Sequence, residues 1–443
     1  MRILHVNKYL YRRGGAESYM EAVASLQREA GHDVAFFGMD HPDNEQHDYA
    51  AHFPPYVELE PAPGSVRGKV AGFGRMVWSS AARRGIDAVV ADFAPDVVHL
   101  HNTYHHLSPS ILGPLARRRV PAVMTLHDYK LACPTYRFLD HGAVCQACLG
   151  GHFTQAVRRR CKDGSLGSSA AMAAELAIHT ALRAYRNVQV FVCPSRFMAG
   201  RMAAAGVFPD RLRWIPHFVP EVPEVPEVPE VPEVPEVPEV PEVPERPATH
   251  DAPARGEEPS PPIVFAGRLS REKGVDTLIE AVARLPAHVR VDVAGDGPDR
   301  AHLEARAAHV GDGRVRFLGR VDAEVLDAVI ADATAVVLPS RWYENQPMIV
   351  LEAFARGVPV VATDLGGTPE LVRHGTNGYL VPADDPAALG SALQALFDHP
   401  ARTRAMGKAA RQHALTDFAP DVHLARLERA YADAAARRAT EGR

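Results

Sequence analysis

The sequence of 443 residues contains no apolar run approaching the roughly 20 residues that a membrane-spanning helix needs. It also lacks the apolar segment of a secretory leader near its start, because Met1 and Arg2 lead directly into a short strand-like run at residues 3–6. We therefore expect a soluble, cytoplasmic protein. Peripheral contact with the inner face of a membrane is an alternative within this expectation.

The charge pattern narrows the choice of partners. Basic residues interleaved with aromatic ones, which are typical of nucleic-acid-binding proteins, are missing, so we expect no nucleic-acid partner. The formal net charge is −5, but nine Val-Pro-Glu repeats at residues 219–245 carry nine glutamates, and without them the net charge is +4. This mild positive charge suits a phosphate-bearing or otherwise anionic partner without identifying it.

Cysteine is also scarce, and four of the five cysteines fall within 29 residues: Cys133, Cys145, Cys148 and Cys161. Disulfides are rare in cytoplasmic proteins, whereas a Cys-x-x-Cys pair with two flanking cysteines can offer four thiolates to a tetrahedral zinc ion. We predict a structural zinc site, with a redox pair or unlinked thiols as the alternatives. Four sulfur ligands would leave no open position for catalysis by the metal. The fifth cysteine, Cys193, is predicted to lie in the core.

Both halves of the chain alternate short apolar strands with helices. In the first half the strand signals cover residues 3–6, 34–37, 97–100, 122–126 and 190–192. In the second half they cover residues 263–266, 289–294, 315–318, 335–338 and 359–362. Continuous apolar strands separated by helices indicate parallel sheets that are covered on both faces and bind ligands at the carboxyl ends of the strands. The sequence therefore predicts two doubly wound α/β domains.

The domain boundaries follow from this alternation. We predict a first domain at 1–218, a linker at 219–262, a second domain at 263–420, and a C-terminal helix at 421–443 that packs back toward the first domain. Proline at every third position of the repeat forbids helix and sheet and favours polyproline II. We interpret the repeat as an expansion tolerated in an exposed linker; a stiff spacer or a docking edge for a basic partner is the alternative.

One amphipathic segment, residues 66–84, is predicted to form a single helix. It would place Val70, Phe73, Val77 and Ala81 on one face. We expect this face to pack on its own domain. Contact with a membrane that carries a lipid-linked acceptor is the alternative.

The strongest candidate site lies in two loops of the second half. The strand at 335–338 leads into a loop that contains Glu344 and then into a helix that contains Glu352. The strand at 263–266 leads into a loop that brings Arg268 and Lys273 to the same sheet edge. The helix N-terminus offers N–H groups to an anion, and carboxylates can accept hydrogen bonds from sugar hydroxyls. Two cations there could stabilise the charge on a leaving diphosphate.

Two glycine-containing turns follow other strands in the same manner. Gly14 and Gly15 join the first strand to the first helix, and a turn that contains Gly367 and Thr368 offers backbone N–H groups to a phosphate. Each turn alone is ambiguous, because glycines after strands often serve only the turn. Four such loops at strand ends together predict a site for phosphate and hydroxyl groups.

As a set, these motifs resemble those of the family-four retaining glycosyltransferases of GT-B fold. The matching stretches are Arg13-Gly14-Gly15-Ala16-Glu17, Gly267-Arg268-Leu269 with Lys273-Gly274, Gly295-Asp296-Gly297-Pro298, Glu344 with Glu352, Gly366-Gly367-Thr368-Pro369-Glu370 and Asn377-Gly378. The resemblance covers both halves apart from residues 219–262, and the four-cysteine stretch stands as an insertion in the first domain. It implies two Rossmann-like domains that face each other across a cleft.

The resemblance implies roles for the matching residues. Arg268 and Lys273 would bind the donor diphosphate, and the turn at Gly14 and Gly15 would close over it. Glu352 would accept hydrogen bonds from the ribose hydroxyls. Glu344 would contact hydroxyls of the transferred sugar.

His127, which follows the strand at 122–126, resembles the family histidine that lies near the donor sugar. A strand-end histidine bonded to the neighbouring loop is the structural alternative. The chemistry of the family retains the anomeric configuration, with the leaving diphosphate as a base for the incoming hydroxyl. The resemblance therefore implies a nucleotide-diphosphate sugar as donor substrate and no cofactor for catalysis.

The implied reaction transfers a hexosyl or N-acetylhexosaminyl group to an acceptor hydroxyl on a glycan, a lipid-linked sugar or a small molecule. A nucleotide-sugar epimerase of GT-B fold and a non-catalytic scaffold protein of the same fold are the alternatives. A nucleotide-linked dehydrogenase is poorly supported, because the turn after the first strand lacks the Gly-x-Gly-x-x-Gly pattern.

Overall fold

The computed structural model describes residues 1–58, 65–219, 261–311 and 313–441. The chain divides into two compact units: Met1–His217 with Pro420–Arg443, and Phe218–Ala419. Residues 220–260 lie outside the described residues, and with them the prediction that the repeat forms polyproline II.

A six-stranded parallel sheet forms the centre of the first unit, and two short strands form a separate antiparallel hairpin. The strands are β1 (Arg2–Val6), β2 (Asp33–Phe37), β3 (Val97–Leu100), β4 (Ala122–Thr125), β5 (Leu139–Asp140), β6 (Ala143–Val144), β7 (Val190–Cys193) and β8 (Leu212–Trp214). The order across the large sheet is β2-β1-β3-β4-β7-β8. The order reverses between β1 and β3, which is where open α/β sheets bind ligands.

The helices of the first unit are α1 (Gly15–Glu29), α2 (Val66–Val77), α3 (Ser80–Phe93), α4 (Leu112–Arg117), α5 (Thr154–Arg158), α6 (Leu166–Ala181) and α7 (Arg196–Ala204). Helix α1 buries Tyr19, Met20, Val23 and Gln27, which recur at the three- and four-residue spacing of one helical face. This helix ends before Gly31, whose φ of +82° suits glycine and stops the helix.

The predicted single helix at residues 66–84 is wrong, because the chain breaks between α2 and α3. Ser79 has extended backbone angles, and its hydroxyl accepts a hydrogen bond from the N–H of Ala82, which starts a new helix. The N–H of Ser79 donates to the hydroxyl of Ser108 at 2.9 Å. The predicted apolar face is also incomplete, since Val70 is 67% exposed.

The second unit repeats the plan with its own six-stranded parallel sheet. The strands are β9 (Ile263–Ala266), β10 (Val291–Ala294), β11 (Val315–Gly319), β12 (Ala335–Leu338), β13 (Val360–Thr363) and β14 (Gly378–Val381). The helices are α8 (Val275–Val282), α9 (Arg300–Ala307), α10 (Ala323–Ala331), α11 (Met348–Ala355), α12 (Pro386–Asp398) and α13 (Pro400–Asp417). The sheet order is β11-β10-β9-β12-β13-β14, the order of a doubly wound nucleotide-binding sheet.

The first residue of the Val-Pro-Glu repeat belongs to the core of the second unit. Val219 is 1% exposed and packs in the apolar cluster around Val350, Leu351 and Phe354. Its N–H donates to the carbonyl of Phe418 at 3.0 Å. The structured part of the second unit therefore begins before the predicted boundary at residue 263.

The C-terminal helix, α14 (Pro420–Thr440), belongs to the first unit. The hydroxyl of Tyr19 lies 3.1 Å from Nε2 of His423, and Nε2 of Gln27 donates to the hydroxyl of Tyr431 at 2.8 Å. Helix α14 thus brings polar groups into the core of the first unit. No helix within the described part of the chain has the length and hydropathy of a membrane span.

Candidate functional site

In the second unit the candidate residues meet at the point where the strand order reverses. Strands β9 and β12 are neighbours in the sheet, and their register pairs Ala335 with Ile263. The loop that carries Arg268 and Lys273 follows β9, and the loop that carries Glu344 follows β12. Parallel strands end at a common edge, so the topology brings the two predicted loops side by side.

Lys273 and Glu344 form an ion pair across these two loops. The ammonium nitrogen of Lys273 lies 2.7 Å from Oε1 of Glu344, and the hydroxyl of Ser340 donates to the same oxygen at 2.6 Å. The carboxylate is nearly buried, with Glu344 6% exposed. Burial alone would raise the pKa of Glu344, but the Lys273 charge and the hydrogen bonds outweigh it, and the pKa is lowered.

The two loops are joined by backbone contacts as well. The N–H of Arg341 donates to the carbonyl of Glu272 at 2.8 Å, and the Arg341 guanidinium binds Asp276 at 2.8 Å. Gly274 has a φ of +68°, and a side chain there would place Cβ 2.0 Å from the carbonyl oxygen of Pro339. Glycine is therefore required for this close approach, which fixes Lys273 beside the β12 loop.

The turn at Gly366 and Gly367 supports the Glu344 loop. The N–H of Gly367 donates to the carbonyl of Glu344 at 2.7 Å, and that of Thr368 donates to Leu365. The two backbone N–H groups that were predicted to bind phosphate are therefore already hydrogen-bonded within the protein. The turn positions Glu344 instead. The hydroxyl of Thr368 is buried and has no hydrogen-bond partner within the described ranges.

Arg268 differs from Lys273 in the surroundings of its charged group. Its side chain is exposed at the end of β9, and among the described residues none forms a hydrogen bond or ion pair with its guanidinium. An arginine in this state can bind an oxyanion with two parallel N–H groups without first breaking another contact.

Glu352 lies in the second turn of α11. Burial raises its pKa, while Arg356 opposes this increase and Asp327 adds to it. Carboxylate oxygens accept hydrogen bonds from hydroxyl groups. This environment fits the predicted contact with ribose hydroxyls.

In the first unit the Gly14-Gly15 turn leaves the start of α1 open. Both glycines are exposed, and the position of a side chain on Gly15 meets no atom within 4 Å. The buried carboxylate of Glu17 accepts a hydrogen bond from Asn7 at 3.0 Å, which holds the turn against β1. Backbone N–H groups at this helix start can therefore approach an anion.

His127 lies two residues beyond the end of β4 and is half-buried. Its Nε2 lies 3.1 Å from Nδ1 of His101, and burial lowers its pKa to about 3. His127 was predicted from the sequence, whereas His101 and His5, which continue the hydrogen bonds into the core, were not. The histidine-rich stretch at residues 99–106 was the available signal.

The four clustered cysteines lie in the segment that contains the β5–β6 hairpin and α5. Burial raises the pKa of Cys148 to about 12, with Cys133 as the next cause, and burial raises the pKa of Cys161 to about 11. Within the described ranges, three potential metal-ligand atoms lie within 4.8 Å of one another only at His5, His99 and His101. The four sulfurs therefore influence one another but are not gathered at zinc-binding distances. Cys193, as predicted, is buried in β7.

Comparison with known protein families gives two matches that cover most of the chain outside the repeat. Residues 13–221 match the family described as Glycosyltransferase Family 4, and residues 260–399 match Glycosyl transferases group 1.

Among curated proteins, the chain is similar to the exopolysaccharide phosphotransferase of Streptomyces coelicolor, with 36% identity over 181 residues. These residues are 40% of this chain and 19% of that protein. It is also 36% identical to the glycogen synthase of Mycobacterium tuberculosis over 160 residues, 35% of this chain and 38% of the relative. The chain thus spans less than half the length of each of these relatives.

Among solved structures, the fold is similar to HepE of Anabaena in complex with UDP and glucose. The TM-score is 0.62 at 18% identity, and the match covers 98% of this chain and 99% of HepE. Sucrose-phosphate synthase from Thermosynechococcus elongatus matches with a TM-score of 0.65 at 19% identity, over 97% of this chain and 98% of that one. The prediction of a GT-B fold with two Rossmann-like domains is confirmed.

Proposed function

We propose that this chain, which carries glycosyltransferase family 4 and group 1 domains, transfers a hexose-type sugar from a nucleotide-diphosphate donor to an acceptor hydroxyl with retention of configuration. The observation that carries the proposal is the Lys273–Glu344 ion pair at the switch point of the second sheet. The exposed Arg268 lies on the same sheet edge, and its guanidinium has no partner among the described residues. Two cations and a carboxylate at that edge match a diphosphate attached to a hydroxyl-rich sugar. Both hexosyl and N-acetylhexosaminyl donors fit this description.

In the proposed reaction, the bond between the anomeric carbon and the donor diphosphate oxygen breaks, and the acceptor oxygen bonds to the same face of that carbon. The proton of the acceptor hydroxyl passes to an oxygen of the leaving diphosphate. Arg268 and Lys273 stabilise the negative charge that develops there. Lys273 has three N–H donors, so it can keep its bond to Glu344 while it binds a phosphate oxygen.

The remaining site residues hold the donor in place. Glu344 keeps its lowered pKa and stays an acceptor for sugar hydroxyls, while Glu352 accepts hydrogen bonds from the ribose. The Gly14-Gly15 turn offers backbone N–H groups to the diphosphate. His127 contacts the transferred sugar. The UDP and glucose bound by HepE support a nucleotide-sugar donor.

We further propose that Cys133, Cys145, Cys148 and Cys161 hold a structural zinc ion. Zinc binds deprotonated thiolates, so its binding releases protons from the thiols. The free energy of zinc binding offsets the cost of deprotonating Cys148 and Cys161, whose pKa values are raised. Because the four sulfurs are not gathered at zinc-binding distances, zinc binding would also draw together the segment between β4 and α6. A redox pair or unlinked thiols would bind no zinc.

The test of the proposed function is a panel of nucleotide sugars, screened first by the change in melting temperature of the purified chain. Each donor that stabilises the protein is then incubated with and without acceptor glycans, and the anomeric configuration of the product is read by NMR. Transfer with retention supports the proposal. Conversion of the donor sugar without any acceptor would identify an epimerase instead, and donor binding without either reaction would identify a non-catalytic protein.

A further inference from the structure

A row of hydrogen-bonded side chains runs from helix α1 to the end of strand β4 within the first unit. It consists of Gln27, His5, His101 and His127, here called the histidine row. Oε1 of Gln27 lies 2.7 Å from Nε2 of His5, and Nδ1 of His5 lies 3.0 Å from Nε2 of His101. Nδ1 of His101 lies 3.1 Å from Nε2 of His127. The first three residues are fully buried, whereas His127 is half-buried at the open end.

The imidazoles of the row are neutral at physiological pH. Burial lowers the pKa of His5 to about 4 and that of His127 to about 3, and it lowers the pKa of His101 well below its ordinary value. A neutral imidazole carries one N–H donor and one nitrogen lone pair. Each histidine in the row can therefore donate on one side only and must accept on the other.

This constraint gives the row a direction. The carbonyl oxygen of Gln27 can only accept, so His5 carries its proton on Nε2 and accepts on Nδ1. His101 must then donate from Nε2 to His5 and accept on Nδ1, and His127 must donate from Nε2 to His101. The lone pair of His127 is therefore on Nδ1, which has no hydrogen-bond partner in the described part of the chain.

The amide nitrogen of Gln27 contacts a residue of the C-terminal helix. The Nε2 group of Gln27 donates to the hydroxyl of Tyr431 at 2.8 Å. That hydroxyl lies 2.8 Å from Nδ1 of His99, whose Nε2 lies 2.7 Å from the hydroxyl of Thr125. With the Tyr431 hydroxyl donating to His99, every one of these groups has a complementary partner, and turning the Gln27 amide over would reverse the donors along both branches.

A metal ion is a poorer explanation for these histidines. His5, His99 and His101 do have ring nitrogens within 4.8 Å of one another. Both nitrogens of each ring, however, are at hydrogen-bond distance from a protein group. The partners are Gln27 and His101 for His5, Tyr431 and Thr125 for His99, and His5 and His127 for His101. A metal ion would have to break at least two of these buried hydrogen bonds.

We propose that Gln27, His5 and His101 are positioning residues that hold the proton of His127 on Nε2 and leave Nδ1 as a hydrogen-bond acceptor. This inference rests on the proposed function for its ligand, which is a hydroxyl group of the sugar. A bare ring nitrogen accepts a hydrogen bond from a hydroxyl, whereas a ring N–H would donate to one, so the row sets the direction of the hydrogen bond between His127 and the sugar. Gln27 acts through two histidines without touching substrate.

The direct test is ¹⁵N NMR of the full chain labelled at histidine, because nitrogen shifts and two-bond couplings show which ring nitrogen carries the proton. The His127→Gln variant assigns the His127 signals. We expect the Nε2–H form in the wild type and in Gln27→Glu, which keeps an acceptor beside His5. In Gln27→Met the acceptor is lost and the two forms should coexist. Tyr431→Phe, which removes the hydroxyl that contacts both the Gln27 amide and His99, should give the same mixture if the methionine variant does not fold.

The matched control is Gln189→Met, which removes another fully buried glutamine of the first unit that bonds to Ala122 and Glu441 and not to the row. It should leave the His127 signals unchanged.

In transfer assays Gln27→Met should lower kcat by about tenfold, the equivalent of roughly one buried hydrogen bond, with donor KM little changed and recovery in Gln27→Glu. An Nδ1–H form in the wild type, or an unchanged form in both Gln27→Met and Tyr431→Phe, would overturn the inference. The NMR result decides this even if no variant shows transfer, in which case only the proposed function fails.

Discussion

The ammonium group of Lys273 lies 2.7 Å from the carboxylate of Glu344, although 71 positions separate the two residues in sequence. Each sits on a loop that follows one of the two neighbouring strands, β9 and β12, at which the sheet order reverses. The pair therefore links the cation proposed to bind diphosphate with the carboxylate proposed to bind the sugar. A change in either residue should affect both functions.

Removing a single group from this site should slow transfer without unfolding the chain. We expect Arg268→Ala, Lys273→Ala and Glu344→Gln each to lower kcat on the order of 10²–10³-fold, because each removes a preorganised contact to developing or bound charge. Initial rates at saturating donor measure this effect, and circular dichroism checks the fold. The matched control is Arg290→Ala, an exposed arginine just before β10 and so at the opposite end of the strands. Wild-type turnover by folded Arg268→Ala would contradict the site assignment.

A buried ion pair that the sequence did not reveal should make the first unit sensitive to acid. Nζ of Lys130 lies 2.8 Å from Glu175, and both side chains are almost fully buried. Burial alone would raise the pKa of Glu175, but His105 and Lys130 lower it to about 2. A lowered carboxyl pKa stabilises the folded state above the ordinary value near 4.5, and this stabilisation is lost as the pH falls from about 4.5 to about 2.

We therefore expect Glu175→Gln to lower the free energy of unfolding at neutral pH by about 3 kcal/mol, because Lys130 would remain buried without its counterion. The difference from wild type should shrink on acidification through that pH range. Urea unfolding at a series of pH values measures it. Glu304→Gln, which removes an exposed carboxylate on α9, should have little effect at any pH. A difference that is constant from neutral to acid pH would show that the charge of Glu175 is not responsible.

The proposed zinc site predicts close to one zinc ion per chain in protein purified under reducing conditions without added metal. Cys145→Ser and Cys148→Ser should lose the metal and lower the melting temperature, because the ion no longer ties the β5–β6 segment together. Metal analysis by mass spectrometry measures the content. Cys193→Ser removes a buried cysteine outside the cluster and should keep the zinc. Reduced wild-type protein without zinc would end the proposal.

The Val-Pro-Glu repeat should be dispensable for the chemistry beyond its first residue. Chain-closure entropy changes slowly with loop length, so a different linker costs little stability. We expect replacement of residues 220–245 by a short Gly/Ser linker, with Val219 retained, to leave donor affinity and turnover within a few-fold of wild type. Val219→Ala should instead destabilise the second unit, because this side chain is buried in its core. Loss of turnover with intact donor binding in the linker variant would assign a functional role to the repeat.

Much of the fold could be predicted because its signals are local. Apolar runs of three to six residues separated by helical patterns indicated the strands of both sheets, and all ten predicted strand segments overlap observed strands. The helix at residues 66–84 was wrong for a local reason that periodicity does not contain. Ser79 caps a new helix and also bonds to Ser108, a residue 29 positions away.

The candidate site was predictable in position but not in its internal bonding. Strand ends followed by charged or glycine-rich loops indicated where Arg268, Lys273 and Glu344 would meet, because parallel strands share one ligand-binding edge. The sequence also suggested that the amides of Gly367 and Thr368 were available to phosphate. In the structure they bond to Glu344 and Leu365, since the turn packs against the neighbouring loop.

The sequence by itself determined the two α/β units, the edge of each sheet at which chemistry is possible, and the residue types present there, because these follow from short-range patterns of apolar, charged and glycine residues. Only the tertiary structure decided which polar groups meet inside the first unit. His5 bonds to His101 across 96 positions, and Gln27 bonds to Tyr431 across 404 positions. The hydrogen-bond direction of a buried histidine depends on the partner that the packing places beside it, and no local pattern specifies that partner.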